Sequence, residues 1–347
     1  MKAKTKVHFI CRGNVYRSRM AAHYLELQQI DSIEVSSSGI EAAKNRPRNK
    51  AIMSARPVEL ARWIGLDSWD EDLHPTQTTQ AIIDSVDLII FMNEDVAHDA
   101  RLTFRLTLAK CETWDVADLD ERLERIHKTL LDTAASEHVI EATHRYLQTR
   151  VDVLIHDICV SNMVDAVDAR DRKLGYALPT AWTNRKALWH RGCHVILLTA
   201  NHKVITEKRA RKIMFSPSRL DFSAGGSVDQ GETYEQAACR ETYEELGIKI
   251  MAAQLKLIDQ RSVDAYNAQY KLASRVHLRS YLVILPERNP AIVIEQSEVS
   301  KVYLLPLARI RRLVKLRRLV HIGRLASGQQ YYEEILRAVN HELKASR

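Results

Sequence analysis

Residues 226–248 read GSVDQGETYEQAACRETYEELGI, and this stretch decides how the second half of the chain is read. Gly226 is followed after five residues by Glu232 and after seven more by Arg240 and Glu241, then by Glu244, Glu245, Gly247 and the apolar Ile248. Glu241, Glu244 and Glu245 stand at i, i+3 and i+4, so a helix carries all three carboxylates on one face. Unpaired, they repel one another. A hard divalent cation relieves that repulsion, and Mg2+ prefers a few carboxylates with water and substrate phosphate oxygens over a closed protein cage. The spacing points to chemistry on a diphosphate; the plainer alternative is a solvated acidic helix face.

The segment resembles the loop-helix-loop motif of the Nudix family of pyrophosphohydrolases, with Thr242 standing where an apolar residue is usual. The resemblance implies an α/β/α Nudix domain that uses Mg2+ (or Mn2+) held by Glu241, Glu244 and Glu245. Arg240 would orient these glutamates, while Gly226, Glu232 and Gly247 shape the loops. In the family, an activated water attacks one phosphorus of a nucleoside diphosphate linked to a second moiety. Glu244 and Glu245 are candidates for the base, and the residues leave the choice open. Glu298 stands where many family members place a late acidic residue. The run His190–Leu198 resembles the subgroup related to isopentenyl diphosphate isomerases, which use a cysteine upstream of the metal helix. Leu220–Gly226 here has no cysteine, which favours hydrolysis over isomerisation. Cys193, Cys239, His190 and His194 read as core residues.

A chain of 347 residues favours two domains, and 46% hydrophobic with 27% charged residues is ordinary globular composition. No apolar run reaches about 18 residues and the N-terminus lacks a signal-peptide pattern, so a cytoplasmic protein without a membrane partner is expected. The five cysteines, Cys11, Cys111, Cys159, Cys193 and Cys239, are scattered, which argues against a disulfide framework or a zinc site. A net charge of +7 and the basic run Arg309–Arg318 invite a nucleic-acid reading. Ile310, Leu313, Val314 and Leu316 interleave, however, as on an amphipathic helix with a charged outer face. No aromatic platform accompanies them, so nucleic acid is not the expected partner. Oligomeric state is not legible.

The first half turns on Cys11. Val7–Ile10 reads as a buried strand, and the loop Cys11-Arg12-Gly13-Asn14-Val15-Tyr16-Arg17-Ser18 leads into a helix over Met20–Leu27. Backbone N–H groups between a strand and a helix N-terminus form an anion site, here expected from Arg12, Gly13, Asn14, Val15 and Tyr16. The same field, with Arg17, favours a nucleophilic thiolate at Cys11. Cys11 would attack phosphorus, Arg17 would clamp the phosphate oxygens, and Ser18 would support the thiolate. A buried, inert cysteine is the alternative.

This segment resembles the low-molecular-weight protein tyrosine phosphatase family, which implies a doubly wound parallel-sheet domain that needs no metal. Val35–Gly39 falls where the family has a serine-glycine turn, Ser85–Met92 where it has a later strand, and Trp114–Leu119 where it carries an Asp-Pro general acid. Asp118 aligns with that acid, which would protonate the leaving oxygen and then activate water on the cysteinyl-phosphate. Leu119 replaces the proline after the acid, Tyr16 a second loop cysteine, and Arg19 the proline after the serine. Asp115 and Asp120 remain alternative acids. Arg12 and Arg19 add charge at the mouth and suit a strongly anionic substrate. Arsenate reduction, another chemistry of this fold, needs two relay cysteines, and none stands between Cys11 and Cys111.

Leucine and isoleucine spacing predicts helix from about Asp120 to Ile158, and alternation predicts a hairpin around Asp168–Lys173. The expected organisation is a phosphatase-like domain over 1–158 and a Nudix domain over 159–347. The expected function is a bifunctional hydrolase acting on small-molecule phosphates and diphosphates, with a phosphoprotein as another candidate phosphatase substrate. The alternatives are a ligand-sensing protein with one active site, or an isomerase-like C-terminal domain.

Overall fold

Val7, Phe9 and Ile10 are fully buried in β1 (Thr5–Cys11), the strand that centres the first sheet. The computed structural model describes residues 4–44, 75–118, 133–159, 161–211, 218–267, 272–315 and 328–345. It divides into two units, Met1–Val160 and Ser161–Arg347.

In the first unit β1 pairs in parallel with β2 (Ile33–Gly39) on one side and β3 (Leu88–Phe91) on the other, and β4 (Cys111–Thr113) extends the sheet beyond β3. The order is β2-β1-β3-β4. All four residues of β3, LIIF, are buried, as a parallel strand covered on both faces requires. Helices α1 (Arg17–Leu27), α2 (Gln80–Ser85), α3 (Glu94–Thr103) and α4 (Thr133–Cys159) belong to this unit, a doubly wound α/β domain. The chain leaves β1 for one edge through β2 and returns to the other side with β3. In open α/β sheets ligands bind at the carboxyl ends of strands beside such a switch point, and Cys11 is the last residue of β1.

One expectation is corrected. Val35–Gly39 is strand, not a turn: Cys11 lies in register with Gly39, and Ser36 and Ser38 flank His8, whose Nδ1 and Nε2 each lie 2.7 Å from one of their hydroxyls. Burial pushes the His8 imidazole down to about 4. The helix expected from Asp120 is described from Thr133, where Leu147, Val151 and Leu154 are buried; residues 119–132, with Leu119 and the alternative acid Asp120, lie outside the described residues.

The second unit is built on a mixed sheet. Its main path runs β11 (Lys256–Asn267), β12 (Leu272–Ile284), β7 (Trp189–Leu198), β5 (Met163–Val167), β6 (Lys173–Pro179). β8 (Lys203–Arg209), β9 (Leu220–Asp221), β10 (Ala224–Ser227) and β13 (Val299–Pro306) complete it through β7 and β8. The β5–β6 hairpin is the expected one, closed at Asp168, whose Oδ1 accepts from the Arg170 and Arg172 amides, and α5 (Thr180–Arg185) follows β6.

Strand alternation separates two cores. Cys193, Val195, Leu197 and Ile205 pack with Ala237, Ala238 and Leu246 of α6 (Tyr234–Leu246). Ile196, Leu198 and Val204 pack on the other side, with Ile310 and Val314 of α7 (Leu307–Lys315) and Tyr331, Tyr332, Ile335 and Val339 of α8 (Gly328–Ala345). The result is an α/β/α arrangement. Arg309, Arg311 and Arg312 are exposed on the outer face of α7, as its amphipathic spacing requires; Leu316–Arg318 lie outside the described residues. Among the described residues no helix is long and apolar enough to cross a membrane.

Candidate active sites

The cysteine loop of the first unit curls its backbone around sulfur. Cys11 is 3% exposed, and its Sγ accepts from the Asn14 amide at 3.1 Å and lies 3.0 Å from Ser18 Oγ. Asn14 adopts φ 54°, a left-handed conformation that asparagine tolerates. Its side chain fixes the loop, donating to Ser18 Oγ (3.1 Å) and Ser37 Oγ (3.0 Å) and accepting from the Thr76 amide (2.8 Å). Gly39 lets the neighbouring strand come this close, since a Cβ there would stand 2.6 Å from the Asn14 nitrogen.

Arg17, the first residue of α1, is buried and donates to the Val116 carbonyl at 2.8 Å and to Asp118 Oδ2 at 2.7 Å. The segment that brings Asp118 there is itself anchored. The Trp114 amide donates to the Phe91 carbonyl and the Val116 amide to the Met92 carbonyl, both at 2.8 Å. The Trp114 indole is buried beside Phe9, and Arg150 of α4 covers its ring at 5.2 Å while pairing with Glu112. Cys11, Arg17, Ser18 and Asp118 are thus gathered, whereas Asp115 is exposed. Burial lowers the Arg19 guanidinium while the charge of Cys11 pulls it up, so Arg19 contributes positive field at the sulfur. Arg12 does not act as the free charge expected at the mouth. It pairs with Asp99 at 3.0 Å and Glu41 at 3.3 Å.

In the second unit α6 begins with a capping box between Thr233 and Gln236 and ends at Gly247, whose φ of 67° suits glycine. Thr242, the departure from the motif, is buried and donates to the Ala238 carbonyl at 2.7 Å. Arg240 is the hub: it donates to both Glu232 oxygens (2.9 and 3.0 Å), to Glu241 Oε1 and Glu244 Oε2 (2.9 Å each), and to the Ser227 carbonyl (2.9 Å). Burial opposes its charge, yet the bonds to Glu232 and the charges of Glu241 and Asp229 hold it well above its ordinary value.

The three glutamates do not share one environment. Glu241 and Glu245 are buried, whereas Glu244 is exposed. Burial pushes Glu241 up to about 7 against the pull of Arg240, with Glu298 and Glu244 adding to the rise. Burial, then the charges of Glu207, Glu241 and Glu298, push Glu245 well above the carboxylate range, although Oε2 accepts from the Gly225 amide at 3.1 Å. Among the described residues no group of three His, Cys, Asp or Glu side chains is arranged as a ready metal cage; Arg240 neutralises Glu241 and Glu244. The donor set nevertheless suits a hard cation, because it consists of carboxylates, two of which, Glu241 and Glu245, are driven up by burial and mutual repulsion.

Gly226 leaves the Glu241 carboxylate its place. A Cβ there would stand 2.3 Å from Glu241 Oε1. Gly226→Ala is expected to push the Glu241 carboxylate out of place and lower metal-dependent turnover at least about tenfold. The overpacking cost to stability should be about 1–3 kcal/mol. Rates and melting temperature of the purified variant check this. Cys193 is buried and Cys239 half-buried, and burial pushes both thiols up, as core cysteines require. His190 and His194 are buried as expected.

Family comparison agrees with both halves. A model described as "Low molecular weight phosphotyrosine protein phosphatase" matches residues 6–152, and one described as "NUDIX domain" matches residues 188–322. The N-terminal half resembles the low-molecular-weight phosphatases and the C-terminal half the Nudix hydrolases. Both are hydrolase families. Among curated proteins, an uncharacterized Nudix hydrolase PA4841 of Pseudomonas aeruginosa is 35% identical over 89 residues, covering 26% of this chain and 52% of its own. A prenyl-diphosphate phosphatase of Methanosarcina mazei is 32% identical over 88 residues, covering 25% and 51%. The chain thus spans about half the length of these relatives. Among solved structures, the YwlE arginine phosphatase of Geobacillus stearothermophilus is 22% identical, with 44% of this chain and 91% of that one covered and a TM-score of 0.30.

Glu207 was not singled out in the sequence, although Val204-Ile205-Thr206-Glu207 puts a carboxylate at the parity of a core isoleucine.

Proposed function

We propose that the chain is a bifunctional hydrolase, with a cysteine-dependent phosphomonoesterase over residues 1–158 and a Mg2+- or Mn2+-dependent Nudix pyrophosphohydrolase over 159–347. The observation that carries the first activity is the Cys11 sulfur ringed by the Asn14 amide and Ser18 hydroxyl, with Arg17 bonded to Asp118 beside it. In this reading Cys11 Sγ forms a bond to phosphorus as the ester P–O bond breaks, and Asp118 gives its proton to the leaving oxygen. Asp118 then takes a proton from water, whose oxygen displaces sulfur and releases inorganic phosphate. Arg17 and the amides of residues 12–16 bind the phosphoryl oxygens, and Ser18 stabilises the returning thiolate.

The second activity rests on Arg240 holding Glu232, Glu241 and Glu244 together next to buried Glu245. Glu241, Glu244 and Glu245 would hold the divalent cation, which when bound supplies charge neutralisation for the diphosphate and lowers the pKa of water. Arg240 fixes their orientation, and Gly226 leaves room for Glu241. A diphosphate ester is the substrate class, with a nucleoside diphosphate derivative our first choice. The prenyl-diphosphate phosphatase among the relatives adds prenyl diphosphates to the test set.

The two sites are also proposed to act in sequence, the monophosphate from the second serving the first. The test is a panel of nucleoside diphosphate derivatives, prenyl diphosphates, isopentenyl diphosphate and phosphomonoesters, run on the full chain with Mg2+ or with EDTA. Diphosphate cleavage only with Mg2+, and monoester hydrolysis in both, is the expected pattern. If the released monophosphate accumulates while an aryl phosphate in the same tube is hydrolysed, consecutive action is wrong. A phosphopeptide is then the next phosphatase substrate to try.

A further inference from the structure

Glu207 is a carboxylate that the reading above does not use. In β8, Ile205 packs with Ala237, Ala238 and Leu246 of α6, and Glu207, two residues on, keeps that parity. Its neighbour across the β8–β13 ladder is Val302, which packs against the same cluster. Both observations aim the Glu207 side chain at the Nudix helix, and its charge is felt at Glu245. Glu207 is 3% exposed. Its Oε1 has a 3.5 Å contact with Arg209 Nη1; its Oε2 is buried and makes no hydrogen bond among the described residues.

Burying a carboxylate with one oxygen unpaired is costly, and the charge of Asp221 adds to that cost, as does Glu298, while Arg209 relieves part of it. A structural role at this core parity would be met at lower cost by an apolar residue. A buried, unpaired carboxylate oxygen on the sheet face that packs against α6 instead has the character of a donor to a cation.

We propose that Glu207 is a further oxygen donor of the divalent-cation site, acting on the cation or on a water bound to it, and supplied by the sheet rather than by the motif helix. This rests on the Nudix reading of the second half. It draws the acidic set from three elements: Glu207 from β8, Glu241 and Glu245 from α6, and Glu298 from the turn preceding β13.

The test is Mn2+ binding to the full-length protein, followed by the paramagnetic resonance signal of free Mn2+, together with melting temperature in EDTA. Glu207→Gln keeps the shape and removes the charge. It is expected to weaken Mn2+ at least about tenfold, in the range seen when groups supporting a metal site are removed, with an unchanged or higher melting temperature in EDTA. Glu207→Asp keeps the charge but shortens its reach, and is expected to weaken Mn2+ as well; it serves as the test if the glutamine variant fails to fold. Wild-type Mn2+ affinity in the folded variant overturns the proposal and leaves Glu207 structural. Glu245→Gln runs alongside. If it loses Mn2+ while Glu207→Gln does not, only the Glu207 assignment fails. If the wild-type protein binds no Mn2+, both that assignment and the metal reading fall.

Discussion

Replacing Cys11 by serine is expected to abolish metal-independent hydrolysis of aryl phosphates and to leave Mg2+-dependent diphosphate cleavage at the wild-type rate. The substitution exchanges one atom in a loop whose other contacts remain: the Asn14 amide and the Ser18 hydroxyl that face sulfur at 3.1 and 3.0 Å can face oxygen instead. A phosphate-binding cradle therefore survives while the nucleophile does not, because an un-ionised serine hydroxyl is a far weaker nucleophile than a thiolate. Loss of a nucleophile costs several orders of magnitude in turnover. Release of p-nitrophenol in EDTA measures the first activity, and phosphate release from a diphosphate substrate in Mg2+ measures the second. Turnover of the aryl phosphate by Cys11→Ser at the wild-type rate would sink the assignment of Cys11. A parallel loss of diphosphate cleavage would show that the variant had damaged more than its own loop.

What the sequence discloses follows the range of the interactions involved. The strand-loop-helix around Cys11 and the helix carrying Glu241, Glu244 and Glu245 were legible because strand, turn and caps are written within a couple of dozen consecutive residues. Asp118 was reachable only through family resemblance. Its place beside Arg17 depends on residues 101 positions apart and on Trp114 being anchored to β3 and α4. Val35–Gly39 misled because the turn was carried over from the family by position, whereas here the segment is a strand whose Ser36 and Ser38 hydroxyls are held by His8 from the neighbouring strand. Arg12 misled for a related reason, since its partners Glu41 and Asp99 are distant in sequence and local charge counting cannot see them. Helical spacing correctly put the three glutamates on one helix. It could not show that two turn inward and one outward, because that depends on what the sheet presents to the helix.

The inward pair gives the second large effect. Glu245→Gln is expected to reduce Mg2+-dependent diphosphate cleavage by about 2–4 kcal/mol of transition-state stabilisation, roughly 30- to 1,000-fold. In EDTA the same change acts on stability with the opposite sign. A carboxyl whose folded-state pKa lies above its ordinary value of 4.5 holds its proton more tightly folded than unfolded. Its contribution is therefore greatest below 4.5 and is lost as pH rises through the folded value; for Glu241, pushed up to about 7, that window is 4.5 to 7. Glu245→Gln should match the wild-type melting temperature at pH 4 and exceed it at pH 8, far enough above 4.5 that the unfolded carboxyl has lost its proton while the folded one resists losing it. Mn2+ added at pH 8 should raise the wild-type melting temperature and leave that of the variant nearly unmoved, because the cation binds the folded state through the carboxylate the variant lacks. Cleavage that persists in EDTA, or a variant that keeps both its rate and its response to Mn2+, would remove Glu245 from the site. An inactive variant that is more stable without metal is the signature of a glutamate kept for the cation and not for the fold.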